Sequence, residues 1–146
     1  MLGILENGIL LCALLAWFAA QFLKIPITKA VGGKWEWSRF WSAGGMPSSH
    51  SAMVVALSLK VGFDLGFDTP LFAACFVLSA IVMYDAAGVR RETGRQGQVI
   101  NQILHSAIFE GRPITNEEMK EIVGHTPLEV FGGFLVGTVC AVLCSL

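Results

Sequence analysis

The chain has 146 residues and a mass of 15.7 kDa, room for one domain spanning 1–146. Apolar residues make up 54% of it and charged residues only 14%, with a mean hydropathy of +0.64; an ordinary soluble domain is about 25% charged. That composition excludes disorder, collagen and coiled coil, and a net charge of −1 leaves no basic field for nucleic acid.

Four segments are apolar enough to approach the ~20 residues that a bilayer crossing needs. Residues 4–23 form the first, with Glu6, Asn7 and Gln21 near its ends. It lacks the basic start and small-residue cleavage site of a signal peptide and reads as a retained span. Residues 48–67 form the second and least apolar, with Lys60 placed to snorkel toward one surface. The third is 71–89, with Asp85 near its end, and the fourth is 127–146, with Glu129 in its first turn. All four read as helices, since an open strand cannot span lipid. In the third connection, Val99, Ile100, Ile103, Leu104, Ala107 and Ile108 recur at helical spacing and predict an amphipathic helix in the interface or against the bundle. The expected fold is an all-α polytopic bundle of about four membrane helices plus this interfacial one. Gly132, Gly133 and Gly137 offer close-packing positions on which two copies can pair as a homo-oligomer.

Four crossings place the 24–47 and 88–126 connections on one side of the membrane. Nine of the ten Lys/Arg residues fall there, all but Lys60. The positive-inside rule makes that side cytoplasmic. Cys12, Cys75, Cys140 and Cys144 lie inside apolar runs without a CxxC pair, so they read as small apolar residues rather than disulfides or zinc ligands.

Ionisable groups are costly at membrane depth, and here they gather at one end. His50 opens the second span, Asp85 and Arg90 close the third, and His125 and Glu129 open the fourth. Gly44-Gly45-Met46-Pro47-Ser48-Ser49-His50-Ser51 is a Gly/Pro loop feeding a helix start. Its backbone N–H groups and helix dipole suit a phosphate, with Ser48 or Ser49 capping the helix or donating to an oxygen. The plainer reading is an ordinary serine cap beside an interfacial histidine. In His125-Thr126-Pro127-Leu128-Glu129, Thr126 and Glu129 make a capping box, which alone accounts for the carboxylate. The functional reading has Glu129 orienting the His125 ring, so that its other nitrogen can attack. Arg90, Arg91 and Arg95 suit bidentate oxyanion binding, with Asp85 placed to hold one of them; otherwise they are cytoplasmic anchors.

Together these segments resemble the type 2 phosphatidic acid phosphatase (PAP2) superfamily, and more closely its divergent branch of small bacterial and plant membrane proteins. The superfamily's Pro-Ser-Gly-His stands here as Pro47-Ser48-Ser49-His50, and its His-x-x-x-Asp as His125 and Glu129. Two features depart from it. The arginine six residues before the third-motif histidine is Met119, and no lysine is followed by arginine seven positions later. The resemblance implies a metal-independent, cofactor-free lipid phosphate phosphatase working through a phosphohistidine. In it, His125 is the nucleophile, Glu129 its orienting partner and His50 the acid and base. Because of the two departures the phosphate clamp must be rebuilt from other residues, with Arg90, Arg91, Arg95 and Lys24 the candidates in that order, beside Ser48 and Ser49. It also implies a bacterial plasma membrane location and a lipid phosphate partner in the bilayer. The departures favour the alternative, a degenerate member that binds or moves a lipid phosphate without cleaving it; the retained pair His50 and His125 opposes it. Asp85 and Arg90 also resemble the opening of the CDP-alcohol phosphotransferase motif. Position 99 is Val where that motif needs Gly, and no Asp follows Asp85, which excludes a two-metal transferase.

Overall fold

The computed structural model describes residues 3, 5–41, 44–88, 96–97, 100 and 125–146. Arg90, Arg91, Arg95, Met119 and nearly all of the expected interfacial helix lie outside these residues. Among the described residues there are four α-helices, one short 3-10 helix and no strand: α1 (Gly8–Ala30), the 3-10 helix (Trp37–Trp41), α2 (Ser49–Leu65), α3 (Pro70–Ala87) and α4 (Pro127–Leu143). The all-helical membrane bundle expected from the composition is the fold that forms.

Local chemistry sets most of the boundaries. Asn7 caps α1 by accepting from the Leu10 N–H at 3.0 Å, and Ser48 caps α2 by accepting from the Ser51 N–H at 3.4 Å. Thr69 caps α3 and Thr126 caps α4, each followed by a proline at the first helical position, where a missing N–H costs nothing. Gly66, with φ +106°, ends α2 in a backbone region that β-carbons avoid. α1 departs most from expectation. It begins four residues later than the apolar run and continues seven residues past Leu23, through Lys24 and Pro26. Lys24 is therefore not a loop residue; it sits on the helix's buried face, 1% exposed. Lys60, the snorkelling candidate, pairs with Asp64 at 2.7 Å, one turn nearer the helix end.

α1 and α3 are long and apolar enough to cross a membrane; α4 is apolar but has 17 residues. α2 also has 17 residues, about 26 Å at 1.5 Å per residue. The core is made of small side chains: Cys12, Ala16 and Ala20 from α1, Ala52 and Ala56 from α2, and Ala141 from α4. The bulky residues, among them Leu15, Phe22, Phe76, Ile81, Phe131 and Leu135, are exposed on the outside. This inverts the size order of a soluble core and follows from the solvent. Lipid tails are as apolar as leucine, so helices gain by backbone approach and van der Waals fit rather than by hiding large side chains.

The tightest approach joins α2 to α4, which run parallel. A β-carbon on Gly133 would collide with the Ser48 carbonyl and come within 2.8 Å of Ser51 Cβ; one on Gly137 would collide with the Ala52 carbonyl and come within 3.0 Å of Val55 Cβ. The glycine face expected to pair two copies is thus spent inside the chain. α3 packs on α2 through a polar contact: Ser58 Oγ lies 2.7 Å from Ser79 Oγ, which donates to the Val54 carbonyl at 2.8 Å. The segment after α1 folds back along its outer face, where Phe40 packs against Trp17, Phe18 and Phe22.

Gly133→Val and Gly137→Val force the α2–α4 backbones apart and should destabilise the bundle by about 1–3 kcal/mol or more. Gly132→Ala meets only the Met46 and Pro47 side chains, at 3.3 and 3.4 Å, and should stay under about 1 kcal/mol. Thermal unfolding in detergent measures the difference.

Candidate active site at the paired helix starts

The parallel run of α2 and α4 brings their N-termini to the same end of the bundle. A backbone hydrogen bond locks them there: the Ser48 N–H donates to the Glu129 carbonyl at 2.8 Å. Ser48 is the cap of α2 and Glu129 lies in the first turn of α4, so the bond ties the two helix starts directly. The loop leading in turns at Gly45, whose φ is +91°, a conformation open to glycine without strain.

Each helix start carries a histidine, and the two rings face each other with centroids 6.3 Å apart at 59°. His125 is 1% exposed. Its Nδ1 lies 3.2 Å from Glu129 Oε2. The same carboxylate oxygen accepts the Thr126 N–H at 2.9 Å, while Thr126 Oγ1 accepts the Glu129 N–H at 3.3 Å. The capping box and the histidine–carboxylate pair, alternatives in the sequence, are therefore both present and share one oxygen. The cap fixes the carboxylate, and the carboxylate fixes the ring. With the Nδ1 proton on the carboxylate side, the lone pair stands on Nε2.

Ser48, Ser49 and Ser51 are all buried. Ser48 Oγ accepts from the Ser51 N–H and from Ser51 Oγ–H, at 3.1 Å. Its own hydroxyl proton remains the group that can donate to an oxyanion, since its backbone N–H is committed to Glu129.

α1 supplies the third wall. Cys12 approaches Cys144 near one end of the bundle, and the Glu129 carboxylate acts electrostatically on Lys24 toward the other. These two pairings make α1 antiparallel to α4 and bring the Lys24 ammonium to the end that carries both histidines. Asp85 sits half-buried in the last turn of α3. Sequence reasoning did not single out Gln21. It is 5% exposed, three residues before Lys24, and its Oε1 has no hydrogen-bond partner. Read as a polar residue near the end of a shorter helix, it gave no signal; α1's extension to Ala30 is what places it inside. Among the described residues no group of three His, Cys, Asp or Glu side chains could hold a metal ion.

A profile of the Divergent PAP2 family matches residues 5–140. The chain belongs to this family. It is also 42% identical over 144 residues, 92% of this chain and 91% of the other, to YuiD of Bacillus subtilis (strain 168), a protein described as an uncharacterised membrane protein. No solved structure matches it. The relative's description as a membrane protein and the two helices long and apolar enough to cross a bilayer agree on an integral membrane protein, and both histidine segments fall inside the matched region.

Thr126→Ala removes half of the cap and should cost about 0.5–2 kcal/mol. Glu129→Ala removes the other half and the ring's partner together, and should cost at least as much. Denaturation midpoints of the two variants in one detergent check the order.

Proposed function

We propose that this chain is a metal-independent phosphatase of membrane lipid phosphates, working through a phosphohistidine. The observation that carries the reading is His125, buried, held by Glu129 through Nδ1 and facing the His50 ring across 6.3 Å. One tetrahedral group can touch both rings at that separation.

In the first step the lone pair on His125 Nε2 attacks phosphorus, and the bond from phosphorus to the lipid oxygen breaks. His50, protonated, delivers its proton to the departing oxygen. Glu129 stabilises the positive charge that grows on the His125 ring. In the second step His50 takes a proton from water, the hydroxide attacks phosphorus, and the P–N bond breaks to release phosphate. Lys24 and the Ser48 hydroxyl offset the charge developing on the non-bridging oxygens. With the superfamily's own basic motif positions missing, Arg90, Arg91 and Arg95 are the candidates to complete that clamp, with Asp85 as the carboxylate for one of them. Ser49, buried in the first turn of α2, belongs to the same polar floor.

The substrate is a phosphomonoester or diphosphate on a lipid, reached within the bilayer. The nine basic residues of the two same-side loops support a cytoplasmic site in a bacterial plasma membrane, and a site so oriented favours an inner-leaflet lipid such as phosphatidylglycerophosphate or phosphatidate; an outward-facing site would favour an isoprenoid diphosphate. Met119 and the missing first motif support a second reading, a family member that binds a lipid phosphate without cleaving it.

Phosphate release from the purified protein across phosphatidylglycerophosphate, phosphatidate and undecaprenyl diphosphate tests the proposal. His125→Ala should abolish release, and His50→Ala should slow it roughly 10²–10⁴-fold. Orthovanadate should inhibit competitively, and a strong chelator should leave the rate unchanged. Full turnover by His125→Ala would refute the phosphohistidine. Tight binding of a lipid phosphate by the wild type with no release would select the non-cleaving reading.

A further inference from the structure

The polar interior of this chain is unevenly distributed. Among the described residues, Gln21, Lys24, Ser48, Ser49, Ser51 and His125 are buried polar groups at the histidine end. Five of them have roles above: cation, cap, hydroxyl donors and nucleophile. Gln21 has none. Its Oε1 is buried with no hydrogen-bond partner, and a buried acceptor left unpaired carries its full desolvation penalty. In a helix that crosses lipid no bulk water compensates it. Gln21 and Lys24 are three residues apart, hence on one face of α1, and that face is buried against the bundle.

The Lys24 ammonium and the unpaired Gln21 carbonyl offer opposite chemistry. Lys24 only donates, and so takes a deprotonated oxygen. The Gln21 carbonyl only accepts, and so repels a deprotonated oxygen and takes a hydroxyl. We infer that Gln21 is a specificity residue of the proposed phosphate site: its Oε1 accepts a hydrogen bond from an O–H of the substrate headgroup, completing a pocket in which Lys24 holds a bare oxygen. This deepens the proposed function and rests on it. The donor has two sources, the P–OH of a protonated phosphate or an alcohol on the lipid headgroup. Either way, a ligand that presents an O–H beside its bare oxygens is preferred over one of similar shape that presents none. A site built to hydrogen-bond a hydroxyl rejects the analogue lacking it, because its own polar group is then left unpaired.

Inorganic phosphate and sulfate separate the possibilities without any turnover. At about pH 8 both are largely dianions of similar size, and only phosphate keeps an O–H. Isothermal titration of the purified full chain in detergent should show phosphate bound roughly tenfold or more tighter than sulfate. Gln21→Met keeps the length, removes the acceptor and suits a buried membrane helix; it should bring the two affinities to within about twofold, mainly by weakening phosphate. Gln21→Asn, a methylene shorter and still polar, should lose the preference too and serves if the first variant does not fold. Lys24→Met should weaken both anions alike.

An unchanged phosphate-to-sulfate ratio in Gln21→Met would overturn the inference. Equal weakening of both anions in that variant would do so as well, because the amide would then act as a donor. Anion binding indifferent to Lys24→Met would lie elsewhere on the molecule and would likewise overturn it. Failure of the wild type to bind either anion would instead remove the oxyanion site on which the proposed function stands. If wild type prefers phosphate, the source of the donor is read from lipid phosphates. Loss of preference for a glycerol-bearing headgroup over a hydroxyl-free one in Gln21→Met points to the alcohol; an equal loss on both points to P–OH.

Discussion

The contact on which this molecule depends is the glycine-lined seam between α2 and α4. Two parallel helices touch along Gly133 and Gly137 closely enough that a β-carbon would strike the carbonyls of Ser48 and Ala52. At its end, the Ser48 N–H closes onto the Glu129 carbonyl. The seam decides where both histidines stand, because each occupies the start of one of those helices. Without it, His50 and His125, 75 residues apart in the chain, would have no common reference.

The site follows from the same economy. Glu129 Oε2 receives the Thr126 N–H that opens α4 and meets His125 Nδ1. A helix cap is normally a matter of stability alone, worth about 1 kcal/mol. Here the group that ends a helix also aims a ring. The position of a titratable side chain becomes as reproducible as the helix start itself. Rigid elements hold functional groups more accurately than loops do, and both histidines lie at the edge of one.

Much of this was legible in the sequence, for identifiable reasons. The starts of α2, α3 and α4 fell within a residue of expectation because Ser48, Thr69-Pro70 and Thr126-Pro127 are strong local signals. The gathering of His50, Asp85, His125 and Glu129 at helix ends was visible because polar residues stand out against apolar runs. The far end of α1 was not visible. Lys24, Pro26 and Lys29 look like the edge of a membrane span, yet the helix continues to Ala30 and Lys24 lies on its buried face, within electrostatic range of Glu129. Gln21 was misplaced by the same error. The use of Gly132, Gly133 and Gly137 within the chain rather than between copies was equally hidden, since a small-residue face carries no mark of its partner. The pairing of Lys60 with Asp64 was open to reading from the four-residue spacing.

The small-residue core has a consequence for what holds the bundle together. Cys12, the alanines and the glycines enclose little hydrocarbon of their own, while most of the large side chains point outward, and α3 has 11% of its span buried. Acyl chains therefore act as the missing outer layer of packing, filling between Phe76, Leu78, Ile81 and Phe131 as neighbouring side chains would in a water-soluble protein. Such a molecule keeps its shape only as well as its surrounding amphiphile can match those ridges. The choice of lipid or detergent is in effect part of its tertiary structure.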